Sequence, residues 1–406
     1  KYLVINYINI MKFSIYTVPL KKKYPLQISR GIKDQSVNVF LKIKDGKFTA
    51  WGESAPGKSE NADTAEIVKE QLENFISTDI ENESIDELYN RAMEMKIAPC
   101  AYASIDMAFW DLKAKKANKP LYKYLGLPKP SQPTSVTIGI NPVDIIKERI
   151  PIILKDNRFK SLKVKLGNPL GLDADKEMFD SVYKISKSYN VKLRVDANGG
   201  WDVNQTLEMM DWLNNREVDY IEQPLNEGNE FDLKYIFKKR KLPIYLDESC
   251  RYADQIPTWA KYVDGINLKL MKCGGITEGL KIINTARVHG LKTMIGCMSE
   301  SSLSIAASAS ISGIIDHIDL DSHYNLNPDP SIGVTLINGI TSLCSIFLLN
   351  SGIITPGSVD AILYNSIDSS EIPGLITYFN PPLPLPAATG FFIIPRLVLF
   401  VSSCDK

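Results

Sequence analysis

Charged side chains close several short β-branched segments in the central part of the chain. In chain order the set is Lys163, Lys165, Asp196, Glu222, Asp247 and Lys269. Three carboxylates that converge on one point supply the oxygen ligands that Mg²⁺ prefers, with Mn²⁺ as an alternative ion. Lysines lie on the strands that flank these three carboxylates. The spacing therefore indicates a metal centre with a basic group on either side.

Each of these residues has an ordinary explanation when it is taken alone. An aspartate after a strand is often a helix N-cap or a turn residue, and lysines at strand ends are usually solvated. Five of them lie at the same end of five consecutive predicted strands: Lys165, Asp196, Glu222, Asp247 and Lys269. Taken separately, they would need five explanations of that kind. We therefore interpret them as one site.

The elements that must position these side chains form a repeat. β-branched segments alternate with longer stretches of helical pattern; their centres are 22 to 31 residues apart, and they cover residues 136–140, 162–166, 193–196, 220–222, 244–247, 266–269, 294–297 and 318–321. One strand and its returning helix need about 30 residues, so eight such units predict an α/β fold, a (β/α)8 TIM barrel. The carboxyl ends of its strands would meet at one open end, the mouth. A doubly wound open sheet is the competing topology, but no G-x-G-x-x-G motif opens a helix after the first strand.

The first third of the chain has a different pattern. Residues 36–52 alternate between apolar and polar side chains about Asp45-Gly46, which predicts a β-hairpin, and residues 63–78 and 98–117 have helical patterns. Met11 is the expected start of the folded protein. We predict an upstream extension, an α+β domain, the barrel domain and a proline-rich C-terminal tail of unknown status, over residues 1–10, 11–134, 135–341 and 342–406.

Composition narrows the function classes. The 47 basic and 47 acidic side chains leave a formal net charge of zero, so nothing favours binding to nucleic acid or to an anionic membrane. The apolar stretch at residues 391–401 is too short for a membrane anchor. The six cysteines are scattered without a C-x-x-C pair, which argues against a disulfide framework and a zinc site and favours a cytoplasmic location. A small-molecule substrate is expected, and a homo-oligomer is left open.

Several segments together resemble the enolase superfamily, and in particular its muconate-lactonizing-enzyme subgroup. They are residues 159–165 (FKSLKVK), 194–201 (RVDANGGW), 221–224 (IEQP), 246–249 (LDES) and 267–275 (NLKLMKCGG). Residues 103–112 (ASIDMAFWDL) and 119–122 (KPLY) resemble that family's N-terminal capping domain. The resemblance implies a modified (β/α)8 barrel that is closed by an α+β capping domain. The resemblance also implies that the protein is an isomerase.

The resemblance also implies a role for each charged residue. Asp196, Glu222 and Asp247 would bind one Mg²⁺ per active site, while Lys165 and Lys269 would act as acid and base on the two faces of the substrate. Members of this superfamily pair a lysine or histidine base with Mg²⁺ that stabilises an ene-diolate, so the resemblance implies that intermediate here. Lys163 lies two residues from Lys165, on the same face of the strand, and is expected to help electrostatically. Two lysines would permit epimerisation by a 1,1-proton transfer.

The residues of the eighth predicted strand indicate the class of substrate. Asp319 and Asp321 would point together into the mouth, and the pair resembles that of the dipeptide epimerases of the L-Ala-D/L-Glu type, where it holds the α-ammonium group. The same resemblance extends to residues 296–301 (GCMSES), so Met298 and Glu300 are expected to line the substrate site. Paired acids would repel substrates that are anionic throughout. Epimerisation of a dipeptide at the α-carbon of its C-terminal residue is therefore the predicted reaction.

The substrate and the role of one arginine have alternatives. Muconate or chloromuconate cycloisomerase, o-succinylbenzoate synthase and N-acylamino acid racemase are alternative activities within the same superfamily, and only Asp319 and Asp321 argue against them. Arg30, in the loop after the first strand of the capping domain, could clamp an acidic substrate side chain or could be a surface arginine. His323 is expected to be a bystander near the pocket.

Overall fold

The computed structural model describes residues 11–58, 61–155, 158–331 and 333–343. The prediction of an upstream extension at residues 1–10 lies outside the described residues, as does the prediction for the tail from residue 344 onward. The predicted limits of the α+β domain and the barrel stay predictions, and the limit at 341 falls inside an observed strand, Ile340–Leu343.

The N-terminal part is a three-stranded antiparallel sheet covered by helices. Its strands are β1 (Lys12–Ile28), β2 (Gly31–Asp45) and β3 (Phe48–Ser54), in that order, and its helices are α1 (Ala65–Ile76), α2 (Ile85–Glu94), α3 (Pro99–Lys116) and α4 (Leu121–Tyr124). The hairpin predicted about Gly46 and both predicted helices are present. Gly46 takes a φ of 58°, the left-handed conformation that suits glycine in a tight turn.

The second part is an eight-stranded, all-parallel sheet with helices between the strands. In chain order its elements are β4 (Ser135–Ile138), α5 (Val143–Leu154), β5 (Ser161–Lys165), α6 (Leu172–Ser186), β6 (Lys192–Asp196), α7 (Val203–Asn214), β7 (Val218–Glu222), α8 (Leu233–Lys239), β8 (Ile244–Leu246), α9 (Ile256–Trp259), β9 (Gly265–Leu268), α10 (Leu270–Cys273), α11 (Ile276–Val288), β10 (Lys292–Ile295), α12 (Ser302–Ile311) and β11 (His317–Ile318). Neighbouring strands in the sheet are neighbours in sequence, as a barrel requires. The predicted parallel barrel with an N-terminal α+β domain is thus confirmed.

The barrel closes between its first and last strands. Thr134 forms a parallel bridge with Ile318, and the Thr134 hydroxyl accepts a hydrogen bond from Leu320 N at 2.8 Å. No α-helix follows β11 within the described residues. A short 3-10 turn (Ser322–Asn325) and an antiparallel pair, β12 (Val334–Ile337) and β13 (Ile340–Leu343), take its place. The eighth strand of the predicted barrel is therefore present, and the described residues after it form this turn and this antiparallel pair.

Buried carboxylates of the N-terminal cap bind the first turns of barrel helices. Asp106 on α3 accepts hydrogen bonds from Ile276 N and Thr277 N at the start of α11. Glu53 on β3 accepts from Ser301 N at 2.9 Å and Ser304 N at 3.2 Å, at the start of α12. The free N–H groups of a helix N-terminus favour such anionic partners, so these contacts dock the cap against the barrel.

No helix among the described residues combines the length and the apolar character needed to cross a bilayer.

Candidate active site

Three carboxylates meet at the mouth of the barrel. Asp196 ends β6, Glu222 ends β7, and Asp247 follows β8 by one residue. The strands pair in register, with Asp196 opposite Glu222, so their ends lie at one level of the barrel. One oxygen from each carboxylate lies within 4.8 Å of the others, and all three side chains are buried. The predicted trio is therefore brought together.

Two lysines flank this trio, one on each side. Lys165 Nζ lies 2.5 Å from Asp196 Oδ2, and Lys269 Nζ lies 2.6 Å from Asp247 Oδ2. Lys165 ends β5 and Lys269 follows β9, the strands that enclose β6 to β8. The order of the strands therefore puts the two amines on opposite sides of the carboxylates, as the sequence pattern predicts.

Lys163 has a different environment from Lys165. Its Nζ is 3.3 Å from Glu222 Oε2 and 3.8 Å from Asp196 Oδ2, and it also contacts Asp319. Burial disfavours its charge, but the three carboxylates outweigh burial and raise the pKa of Lys163 well above the ordinary value. Lys163 can therefore supply positive potential at the mouth.

The trio has the character of a cation site. Burial, and next the charge of Asp196, raise the pKa of Glu222 to about 8, while lysines hold the pKa of Asp247 well below its ordinary value despite burial. Glu222 Oε2 makes no hydrogen bond within the described residues. Three buried carboxylates, one of which has an oxygen that accepts no hydrogen bond, fit a hard divalent ion such as Mg²⁺.

Several polar residues around the trio were not predicted from the sequence. Lys272 Nζ is 2.6 Å from Asp247 Oδ1 and 2.9 Å from Asn267 O, and this side chain is almost fully buried. Asn267 Nδ2 donates to Glu222 Oε1 at 2.6 Å, and Asn198 N donates to Asp196 Oδ1 at 2.8 Å. These contacts fix the orientation of each carboxylate. The available signal was closeness in sequence to the charged strand-end residues: Asn198 is two residues after Asp196, and Lys272 is three after Lys269.

Asp319 and Asp321 follow β11 on the far side of the mouth. The Asp319 carboxylate contacts Lys163 and the Ser135 hydroxyl, and these partners hold its pKa below the ordinary value despite burial. Asp321 Oδ2 accepts from Thr137 N at 2.6 Å, and Asp321 has no ion pair within the described part of the chain. Burial, and next the charge of Asp319, raise the pKa of Asp321 to about 6.

The other predicted substrate residues are held by protein partners. The Glu300 carboxylate accepts from Met298 N at 2.6 Å and from the Ser304 hydroxyl, so it shapes the loop that carries Met298. Arg30 lies at the tip between β1 and β2, where its guanidinium contacts Glu248 and Asn198 O. His323 is buried, and burial lowers its pKa to about 3.

Family comparisons agree with this geometry. The family model described as "Enolase C-terminal domain-like" matches residues 148–334, and the model described as "Mandelate racemase / muconate lactonizing enzyme, N-terminal domain" matches residues 10–126. A hydrophobic dipeptide epimerase from Flavobacteria bacterium (strain MS024-2A) is 63% identical over 331 residues, which are 82% of this chain and 95% of that protein.

The chain belongs to the enolase superfamily.

Other members of the superfamily support the same grouping. A hydrophobic dipeptide epimerase from Roseobacter litoralis is 51% identical over 82% of this chain and 96% of its own length. The crystal structure of a dipeptide epimerase from Enterococcus faecalis V583, complexed with Mg and L-Leu-L-Tyr, has a TM-score of 0.77 and 29% identity over 82% of this chain and 96% of that one. The predicted family and the predicted enzyme class, an isomerase, are both confirmed.

Proposed function

We propose that this enolase-superfamily enzyme epimerises dipeptides at the α-carbon of the C-terminal residue by a two-lysine, Mg²⁺-dependent 1,1-proton transfer. The observation that carries the proposal is the placement of Lys165 and Lys269 on opposite sides of one buried trio of carboxylates. Hydrophobic dipeptides are the proposed substrate class, because the relative with 63% identity is named for them.

The charged residues of the mouth have distinct roles in this reaction. Asp196, Glu222 and Asp247 would hold Mg²⁺, which when bound supplies positive charge beside the substrate carboxylate and so offsets the charge that develops on deprotonation. Lys165 takes the α-proton from one epimer, and Lys269 returns a proton to the opposite face; the roles reverse for the other epimer. Lys163, which stays charged, adds positive potential that favours the anionic intermediate over the ground state.

The dipeptide's α-ammonium group is assigned to Asp321. Its carboxylate has no ion pair within the described residues, whereas Asp319 already contacts Lys163. The contacts of Asp321 Oδ1 with Thr137 Oγ1 at 3.4 Å and with Cys297 Sγ at 3.9 Å are both long, so this oxygen can accept a further donor. Asp319 would contribute by orienting Lys163. Cycloisomerase and o-succinylbenzoate synthase substrates lack the cation that Asp321 would bind.

The test is incubation with a dipeptide library in D₂O and Mg²⁺, read by mass spectrometry and chiral chromatography. We expect deuterium at the C-terminal α-carbon together with formation of the second epimer. Lys165→Ala and Lys269→Ala should each abolish epimerisation, while each still exchanges the α-proton of the one epimer that faces the remaining lysine. Lys192→Ala, at the exposed start of β6, is the matched control. Absence of deuterium from every dipeptide would refute the proposal.

A further inference from the structure

The tip of the β1–β2 hairpin is fastened to the barrel beside the metal-binding trio. Ser29 Oγ and Arg30 Nη1 each donate to Asn198 O at 2.9 Å, and Arg30 Nη2 donates to Glu248 Oε1 at 2.5 Å. Glu248 follows Asp247 directly in sequence, and Asn198 is two residues beyond Asp196. The tip of the cap therefore contacts the loops that carry two of the three proposed metal ligands.

The Arg30–Glu248 pair is unequal in its exposure. The Glu248 side chain is only 3% exposed, while that of Arg30 is 45% exposed. Arg30 is the one cation within 4 Å of the Glu248 carboxylate in the described part of the chain. A buried carboxylate without its cation is strongly unfavourable, particularly next to three further carboxylates. The contact between Glu248 and Arg30 is therefore strongly favoured.

This pairing bears on what Arg30 can do for a substrate. An acidic substrate side chain could bind Arg30 only by displacing Glu248, or by adding another negative charge beside it. Both cost free energy, because like charges at close range repel and a buried charge would lose its partner. Although the Arg30 guanidinium lies at the mouth, its pairing with Glu248 makes it a poor binding site for an anionic substrate group.

We propose that Arg30 and Glu248 form a latch that closes the β1–β2 tip over the mouth and makes the enzyme discriminate against dipeptides with acidic side chains. The discrimination against acidic dipeptides rests on the proposed dipeptide epimerase function; the latch itself does not. Glu248 is a positioning residue, because it affects specificity only through its contact with Arg30. The opposite possibility, that Arg30 clamps an acidic side chain while Glu248 merely orients it, is an outcome of the test.

The specificity experiment compares kcat/KM for L-Ala-L-Glu and L-Ala-L-Leu at saturating Mg²⁺. The ratio of the two values cancels any loss that is common to both substrates. Glu248→Gln frees the charge of Arg30, so the ratio should shift at least about tenfold toward L-Ala-L-Glu, which corresponds to about 1.4 kcal/mol. Adding Arg30→Met to Glu248→Gln should remove that gain. Glu227→Gln is the matched control, since Glu227 pairs with Arg251 on the same rim but does not touch the tip.

A second measurement tests the latch without turnover. Amide hydrogen exchange of residues 26–33 should rise several-fold in Glu248→Gln and in Arg30→Met, and no further in the double variant, because both changes break the same contact. Glu227→Gln should leave this exchange unchanged.

The outcomes separate the two proposals. An unchanged ratio in Glu248→Gln, or a gain that survives Arg30→Met, overturns the specificity claim; unchanged exchange at the tip overturns the latch. A wild-type enzyme that epimerises no dipeptide of the library refutes the proposed function and the specificity claim with it, and the exchange experiment then still decides the latch.

Discussion

The barrel mouth and the hairpin tip above it hold their side chains by different means. Lys165, Asp196 and Glu222 are strand residues that pair in register, so hydrogen bonds between neighbouring strands set their positions. Ser29 and Arg30 lie on a turn and donate three side-chain hydrogen bonds to the barrel. Catalytic side chains need tightly fixed positions, whereas a segment that covers the mouth must be able to open when a substrate enters. The strands suit the first task and the tip suits the second.

Removal of a proposed metal ligand should have the largest effect. Asp247→Asn takes one negative oxygen from the trio and leaves Lys269 and Lys272 without their shared carboxylate. We expect epimerase activity to fall by about 10³-fold or more, because the charge that develops in the reaction loses its compensation. Calorimetric titration with Mg²⁺ should show weakened binding. Asp202→Asn, at the exposed cap of α7, is the control; normal Mg²⁺ affinity in Asp247→Asn would contradict the assignment.

A change on the opposite side of the mouth should affect substrate binding instead. Asp321→Asn removes the proposed partner of the dipeptide's ammonium group while leaving the trio intact. We expect kcat/KM to fall about 100-fold, mostly through KM, because a charge-assisted hydrogen bond is worth about 1.5–3 kcal/mol. Mg²⁺ affinity should stay within about twofold of the wild-type value. An equal loss of Mg²⁺ binding would show that Asp321 serves the metal site.

A supporting residue beneath the trio should have an intermediate effect. Lys272→Met removes the amine that contacts Asp247 Oδ1 and Asn267 O but keeps most of the side-chain volume. We expect a loss of about 10- to 100-fold in activity or Mg²⁺ affinity, as for other residues that orient metal ligands. Lys272→Arg should restore part of the loss. Wild-type Mg²⁺ affinity and kcat in Lys272→Met would contradict the positioning role.

A change in the cap should alter stability and its pH dependence. Burial raises the pKa of Glu53 to about 7 even though Ser301 and Asn38 donate hydrogen bonds to it. A raised pKa means that the folded state binds the proton more tightly, so this stabilisation is complete below pH 4.5 and is lost as the pH rises to 7. Relative to Glu53→Gln, the wild type should lose roughly 1.4 kcal/mol of unfolding free energy per pH unit in that window.

Urea unfolding at several pH values between about 4.5 and 8 measures this difference. Glu70→Gln, an exposed carboxylate on α1, is the matched control and should follow the wild type at every pH. A wild type that gains stability relative to Glu53→Gln as the pH rises would contradict the predicted direction.

The strand-end residues were predictable from the sequence because one strand and one helix occupy a nearly constant length of chain. That regularity alone is enough to place Asp196, Glu222 and Asp247 at one level of the barrel. The repeat does not predict the antiparallel pair of β12 and β13, which follows β11 in the described part of the chain. A short helix also concealed Lys272: α10 has four residues, and a lysine there would ordinarily be solvated.

Residue types and their order along the chain establish which chemical groups are available and which strand presents each of them. Which charges pair is a property of the folded molecule: Lys163 pairs with Asp319, Lys272 with Asp247, and Arg30 with Glu248, 218 residues away along the chain. Electrostatic and hydrogen-bond energies depend on separations of a few ångströms. Strand register and the docking of the cap set those separations, and no local pattern of residues encodes them.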